Sequence, residues 1–316
     1  MSEEKYTRNL ELSDLFFAGF GFIIGAGIFT LMPLIIKYGK GSSWLSFVVG
    51  GWVCLLTGLS YAKLNQEYPS NDAEYSWIYE ILNFNKPDED GKRKKPHVLV
   101  RGLANAIIWI VMIIGLFNTA TVAVGLSNFI RQYINISKTL MVGLSIALPS
   151  LINILGNKYS TLFNKGIMSV VVSSFVVLMM LAGVKGKNFG ENTLVPGSGD
   201  LSGIFRSSFI TIFAYNGFQS IVQLSEEAKD ISDIPKGIYA AIGTSTSLYA
   251  IIAVSVISLL GIKSSANSVN PIASALGKML PNSSVVFDAV NGLSSVALFN
   301  TLMLIVLSRS RLLQKL

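Results

Sequence analysis

Two short stretches of this sequence hold the residue types that could bind a small polar solute within apolar surroundings. The first is Gly25-Ala26-Gly27, set in the run Phe16–Phe29 with further glycines at 19 and 21. Two chemistries fit it. Small residues four apart, as at Gly21 and Gly25, let helices pack closely. Alternatively Gly25-Ala26-Gly27 unwinds, and the released amides, helped by the helix dipole, favour an anionic group such as a carboxylate. Unpaired backbone at membrane depth is costly unless it lines a cavity or binds something. Glycine content alone tilts towards packing.

The second stretch is Tyr215, Asn216, Gly217, Gln219 and Ser220, a polar cluster in the middle of the otherwise apolar run 203–226. Paired interruptions in corresponding spans are the sequence pointer to a transporter site. That pairing moves the reading of Gly25-Ala26-Gly27 towards a carboxylate cradle.

The elements that must position these stretches are membrane helices. Of the 316 residues, 51% are hydrophobic and 14% charged, and the mean hydropathy is +0.55. Soluble domains carry about 25% charged residues, so this chain lacks the surface for a water-exposed globule. A spanning helix needs roughly 20 apolar residues. Eight stretches qualify, at 14–36, 44–64, 102–127, 139–155, 163–184, 203–226, 237–261 and 284–307. The fourth is short and contains Pro149; the eighth holds Asp288, Asn291 and Asn300. The expected fold is an all-α membrane protein of about eight transmembrane helices, with residues 1–316 forming a single membrane domain.

The net charge of +7 is not read as a nucleic-acid signal, because its placement is topogenic. Lys and Arg concentrate on the side of the two termini, led by Lys92-Arg93-Lys94-Lys95, which places both termini in the cytoplasm. Ser13 and Asp14 are expected to open the first span as N-cap and first-turn residues. The loop 65–100 should begin with an interfacial helix through Tyr75–Tyr79 and end as a mobile loop. Residues 185–202 and 262–283 are expected outside, the latter with a short helix around 272–280. Cys54 is the single cysteine, so no disulfide framework exists within the sequence. Asp288, about one turn inside the outer boundary, reads as an interface residue.

These residues carry a resemblance. Gly25-Ala-Gly-Ile-Phe29, with Phe213-Ala-Tyr-Asn-Gly-Phe-Gln219 leading into Ser225-Glu-Glu-Ala-Lys-Asp230 and Ile234-Pro-Lys236, resembles the amino acid–polyamine–organocation permeases. Leu307-Ser-Arg-Ser-Arg311 is similar to that family's arginine-bearing exit from span 8. The resemblance implies a five-plus-five inverted-repeat fold with broken helices 1 and 6. The first repeat would cover about 13–184, and an incomplete second repeat about 203–307.

It also implies roles. The substrate carboxylate would sit on Gly25, Ala26 and Gly27, and its amino group would meet carbonyls near Ile23, Phe213, Ala214 and Asn216, beside Gly217. Phe213 would close over the substrate as an aromatic gate. Glu226 or Glu227 would form an ion-pair gate, with Gln219 standing where many relatives carry Glu. No lysine occupies the middle of span 5, Met168–Val177. No cofactor is expected. Coupling to H⁺ or Na⁺ is left open, with Ser294 and Ser295 as Na⁺ candidates.

The function implied is alternating-access transport of an amino acid, and a neutral one, because no intramembrane acid lines the expected pocket. The expected partners are that solute and the lipid bilayer, without nucleic acid; a homo-oligomer or accessory subunit is left open. The alternative is a truncated, transport-inactive relative that binds amino acids or regulates, since the sequence stops just after span 8. An enzyme is not expected: the sole histidine, His97, stands in a polar loop, and neither HEXXH nor paired-histidine spacing occurs.

Overall fold

The computed structural model describes residues 8–71, 73–82, 98–154, 158–192, 201–280 and 282–313. Among the described residues twelve α-helices follow one another: α1 Leu12–Gly39, α2 Ser43–Glu67, α3 Ala73–Leu82, α4 Val98–Ile130, α5 Lys138–Ile154, α6 Lys158–Lys185, α7 Leu201–Ala214, α8 Gln219–Val222, α9 Asp233–Leu260, α10 Ile262–Asn267, α11 Pro271–Met279 and α12 Ser283–Leu313. Among the described residues the one β feature is an isolated parallel bridge between Leu10 and Ala228.

Helices stand at all eight expected positions, the sixth as α7 and α8. Among the described residues five segments are long and apolar enough to cross a membrane: Gly27–Glu67, Val98–Ile130, Asn164–Lys185, Asp233–Leu260 and Ser283–Ser310. Leu12–Gly25 and Lys138–Ile154 are shorter apolar helices. Asp14 at the start of α1 pairs with Lys165 early in α6, and Leu10 bridges Ala228 just after α8, so these ends share one face of the bundle, called here the N-terminal face.

α1 is the axis of the bundle. It is apolar on every side, the pattern of a helix buried all round. Leu15, Ile23, Ile24, Ile28, Met32, Ile35 and Ile36 are fully buried. Around it pack α9, α7, α12 and α6. α4 and α5 keep large side chains outward, among them Trp109, Leu116, Phe117, Leu151 and Ile154, as a lipid-facing layer does.

The start of α1 is stapled. The N-cap is Glu11 rather than Ser13, and its N–H donates to Asp14 Oδ2 at 2.9 Å. Asp14 also pairs with Lys165 of α6 at 2.6 Å. The sequence pattern located the charge but not the cap, because Glu11 and Asp14 complete a reciprocal box.

The interfacial helix is observed as α3, with Trp77 Nε1 donating to the Tyr68 carbonyl at 2.9 Å. The loop expected to follow it, with Lys92–Lys95 and His97, lies outside the described residues. The outer helix is observed as α11, capped by Asn270. Asp288 accepts from the Tyr133 hydroxyl at 2.8 Å. Burial first, and that bond next, hold the Tyr133 phenol above its ordinary pKa.

One expectation is corrected. α1 runs unbroken through Gly25-Ala26-Gly27. The glycines there serve close approach. A Cβ on Gly25 would stand 1.7 Å from Thr301 Oγ1 of α12, and one on Gly27 would stand 2.3 Å from the Tyr249 hydroxyl of α9. The helix stays wound because its neighbours occupy the space the missing side chains leave.

Candidate functional site

The break falls in the sixth span. α7 stops at Ala214, residues 215–218 form turns, and α8 resumes at Gln219. Gly217 has φ +156°, and a Cβ on it would sit 2.7 Å from Phe22 Cβ of α1. Both facts call for glycine. The turns hold themselves: Asn216 N–H donates to the Phe213 carbonyl at 3.1 Å. The Ser220 N–H and hydroxyl both donate to the Gly217 carbonyl, at 3.0 and 2.6 Å.

The upstream limb is anchored to α2. The Tyr215 hydroxyl donates to the Phe47 carbonyl at 3.0 Å, and the Thr211 hydroxyl to the Ser46 carbonyl at 2.8 Å. Buried tyrosines find a partner of this kind. The Tyr215 ring also lies 5.4 Å from that of Tyr249.

α1 faces the break with carbonyls that serve more than their own helix. The Ile23 carbonyl accepts from the Tyr249 hydroxyl, and the Gly21 carbonyl accepts from Thr301 Oγ1 at 3.2 Å. Lower down, Asn164 of α6 donates to the Phe17 carbonyl at 2.7 Å and accepts from Asn300 of α12 at 2.7 Å. The middle of α1 is thus ringed by hydroxyl and amide side chains from three helices.

Two cavities flank the break. The larger, about 490 Å³, is a groove open to the outside of the bundle, with apolar walls from α2 (Val53, Cys54), α4 (Ile114, Phe117) and α7 (Phe209, Phe213), of which Val53, Ile114, Phe117 and Phe209 are exposed, and with Asn216 and Gln219 among its few polar groups at the inner end. That volume lies in the range of small-molecule sites. The smaller, about 10 Å³, lies towards α12 and also touches Asn216 and Gln219.

Of the residues singled out in the sequence, Phe213, Asn216 and Gln219 come together at the larger cavity, with Ala214 and Gly217 buried behind them. Ile23, Gly25 and Gly27 are buried on α1. Their backbone stays in the helix, as does that of Ala26, so the carboxylate cradle is not formed in this conformation.

Among the described residues Glu226 meets no cation. Its Oε1 accepts from the Asn71 N–H at 3.3 Å, and its own N–H donates to Asn71 Oδ1 at 3.0 Å. The Glu227 carbonyl accepts from the N–H groups of Asn9 and Leu10, both at 3.0 Å. Ser294 and Ser295 bond back to the carbonyls of Val290 and Asn291, and Ser294 also accepts from Asn270. They belong to the outer end of α12, whereas Asn300 and Thr301 are its residues beside α1.

Sequence reasoning missed Tyr249, Thr301 and Asn164, and named Arg309 only within the span 8 exit. The available signal was a polar side chain within an apolar span, which is a functional candidate by default.

Comparison with known proteins places the chain. A family model described as amino acid permease matches residues 10–316, and the chain belongs to that family. It is 29% identical over 273 residues to the methylthioribose transporter of Bacillus subtilis, covering 79% of this chain and 54% of that protein. It is 27% identical over 272 residues to the branched-chain amino acid permease BcaP of the same organism, covering 78% and 54%. Cationic amino acid transporter 1 of Arabidopsis thaliana is 26% identical over 310 residues, with 94% and 50% covered. The chain spans about half the length of these relatives. Together with its apolar helices, this makes it a multi-pass integral membrane protein of a permease family, not an enzyme family.

Proposed function

We propose that this protein binds a neutral amino acid with an apolar side chain at the sixth-span break and carries it across a membrane by alternating access. One observation carries the reading: the turns at 215–218 open onto a cavity of about 490 Å³ whose walls are apolar except chiefly for the uncharged Asn216 and Gln219. A charged side chain would meet no countercharge there, and burying an unpaired charge is costly. The relatives named for branched-chain and for cationic amino acids mark the two specificities that this lining separates.

Phe213, half-buried at the cavity wall, closes over the apolar side chain. Asn216 and Gln219 hold its polar end. The Ile23 carbonyl already accepts a hydroxyl from outside its helix, which is the role an ammonium donor needs. The carboxylate is received by α1 around Gly25, Ala26 and Gly27 when Tyr249 and Thr301 move aside. Both termini lie in the cytoplasm, in keeping with the excess of Lys and Arg on that side.

The test is binding and flux with the purified protein. Radiolabelled leucine should bind in detergent and be taken up or exchanged in liposomes, and arginine should not compete. Binding of arginine in preference to leucine would overturn the neutral assignment. Leucine binding without flux would leave a binding protein rather than a transporter.

A further inference from the structure

The smaller cavity, on the α12 side of the break, holds about one water-sized particle at 10 Å³. Its walls include Asn118, Gln223, Ser308 and Arg309. The Arg309 guanidinium lies over Gly115 of α4, where a Cβ would stand 2.3 Å from its Nε. Neither Nε nor Nη1 has a hydrogen-bond partner, and Arg309 is in none of the ion pairs of the described residues. Glu74, whose Oε1 accepts from the Tyr61 hydroxyl at 3.1 Å, acts on Arg309 as a countercharge at a distance, without reaching its Nε or Nη1.

The rest of the lining is biased towards donors. Ser308 gives its proton to Gln223 Oε1, which leaves the Gln223 NH₂ for the cavity. Asn118 Oδ1 has no partner, so turning that amide to present its NH₂ breaks no bond of the oxygen. A guanidinium does not give up its proton, and buried N–H groups of a charged side chain left without an acceptor are costly; Arg309 is half-buried, with Nε and Nη1 turned inward.

We propose that this cavity is a small-anion site, with Arg309 supplying the charge and the Gln223 and Asn118 amides the hydrogen bonds. The ligand is a single small anionic group, a free halide or the carboxylate of an amino acid, and the Arg309 and Asn118 side chains must turn back to widen the one-water cavity for it. The halide source stands independently of the permease reading, and the carboxylate source rests on it.

The experiment is thermal unfolding of the full chain in detergent at fixed ionic strength. Chloride is exchanged for gluconate, and L-leucine is compared with leucinamide, which lacks the carboxylate. The variants are Arg309→Gln and Asn118→Asp, the second of which supplies an internal carboxylate beside the guanidinium. If the site takes halide, chloride raises the wild-type midpoint by several degrees and Asn118→Asp loses that shift. If it takes a carboxylate, leucine stabilises and leucinamide does not, and Asn118→Asp loses the leucine shift. Should Arg309→Gln fail to fold, Asn118→Asp decides. Chloride and leucine shifts that persist in Asn118→Asp overturn the site, as does a wild type indifferent to both. A chloride shift without any leucine response keeps the anion site and removes the amino-acid reading instead.

Discussion

The first and sixth spans each carry glycine at mid-membrane depth, yet one stays wound and the other breaks. In α1, Gly25 and Gly27 face Thr301 and Tyr249 closely enough that no side chain fits, and the helix continues. At Gly217 the backbone turns to φ +156°, and the polar side chains beside it help hold the turns. Glycine density does not by itself unwind a membrane helix. What separates the two is whether the neighbours supply packing atoms or the flanking residues supply hydrogen bonds to a turned chain. Ser220, bonding twice to the Gly217 carbonyl, does the latter.

The sharpest way to break this contrast is Gly217→Ala. It meets both a disfavoured φ and Phe22 Cβ at 2.7 Å, so it should cost about 3 kcal/mol of stability. Leucine binding should be lost with it. A variant with unchanged unfolding midpoint and affinity would show that the break does not depend on this residue.

Gly25→Ala tests the other side. Overpacking against Thr301 predicts a loss of about 1–3 kcal/mol, and Thr301→Ala should recover part of it in the double variant. If the two losses simply add, the contact does not hold the helices together.

Tyr249→Phe removes the hydroxyl that reaches the Ile23 carbonyl and should cost roughly 0.5–1.5 kcal/mol in thermal or denaturant unfolding. Because it frees that carbonyl, leucine affinity should rise or hold rather than fall. A marked fall would place the hydroxyl in the ligand site itself.

The smallest effect is expected at Lys229→Ala. Its ion pair with Glu11 spans 2.5 Å between exposed side chains, and such pairs are worth at most about 1 kcal/mol. A larger loss would mean that the N-terminal face is held by charge rather than by backbone pairing.

Much of the architecture was legible in the sequence, because a membrane span announces itself by length and apolarity. Helices at the eight expected positions and the short helices at 73–82 and 271–279 follow from composition and caps that act locally. The break at 215–218 was legible because Asn216, Gln219 and Ser220 have little reason to sit in an apolar span otherwise. The state of Gly25-Ala26-Gly27 was not, since it depends on Tyr249 and Thr301, more than 200 residues away in the chain. The place of Ser294 and Ser295 was hidden for the same reason. Helical position alone does not say which turn of α12 meets α1, and the meeting falls at Asn300 and Thr301, some two turns further on. Glu226 looked like half of an ion pair, but the group that reaches it is Asn71, brought there by the turn before α3.

The bridge between Leu10 and Ala228 has a consequence for biogenesis. Its two residues are separated by the same 218 positions that separate Glu11 from Lys229. At a synthesis rate of about 5–20 residues per second, the ribosome delivers the second residue roughly 10–40 s after the first. The opening helix must therefore wait in the membrane, its leading segment without its final partner, while most of the bundle is still being made. Docking of that segment can only be a late event, and a nascent chain arrested before residue 228 should expose it to proteases that spare the finished protein.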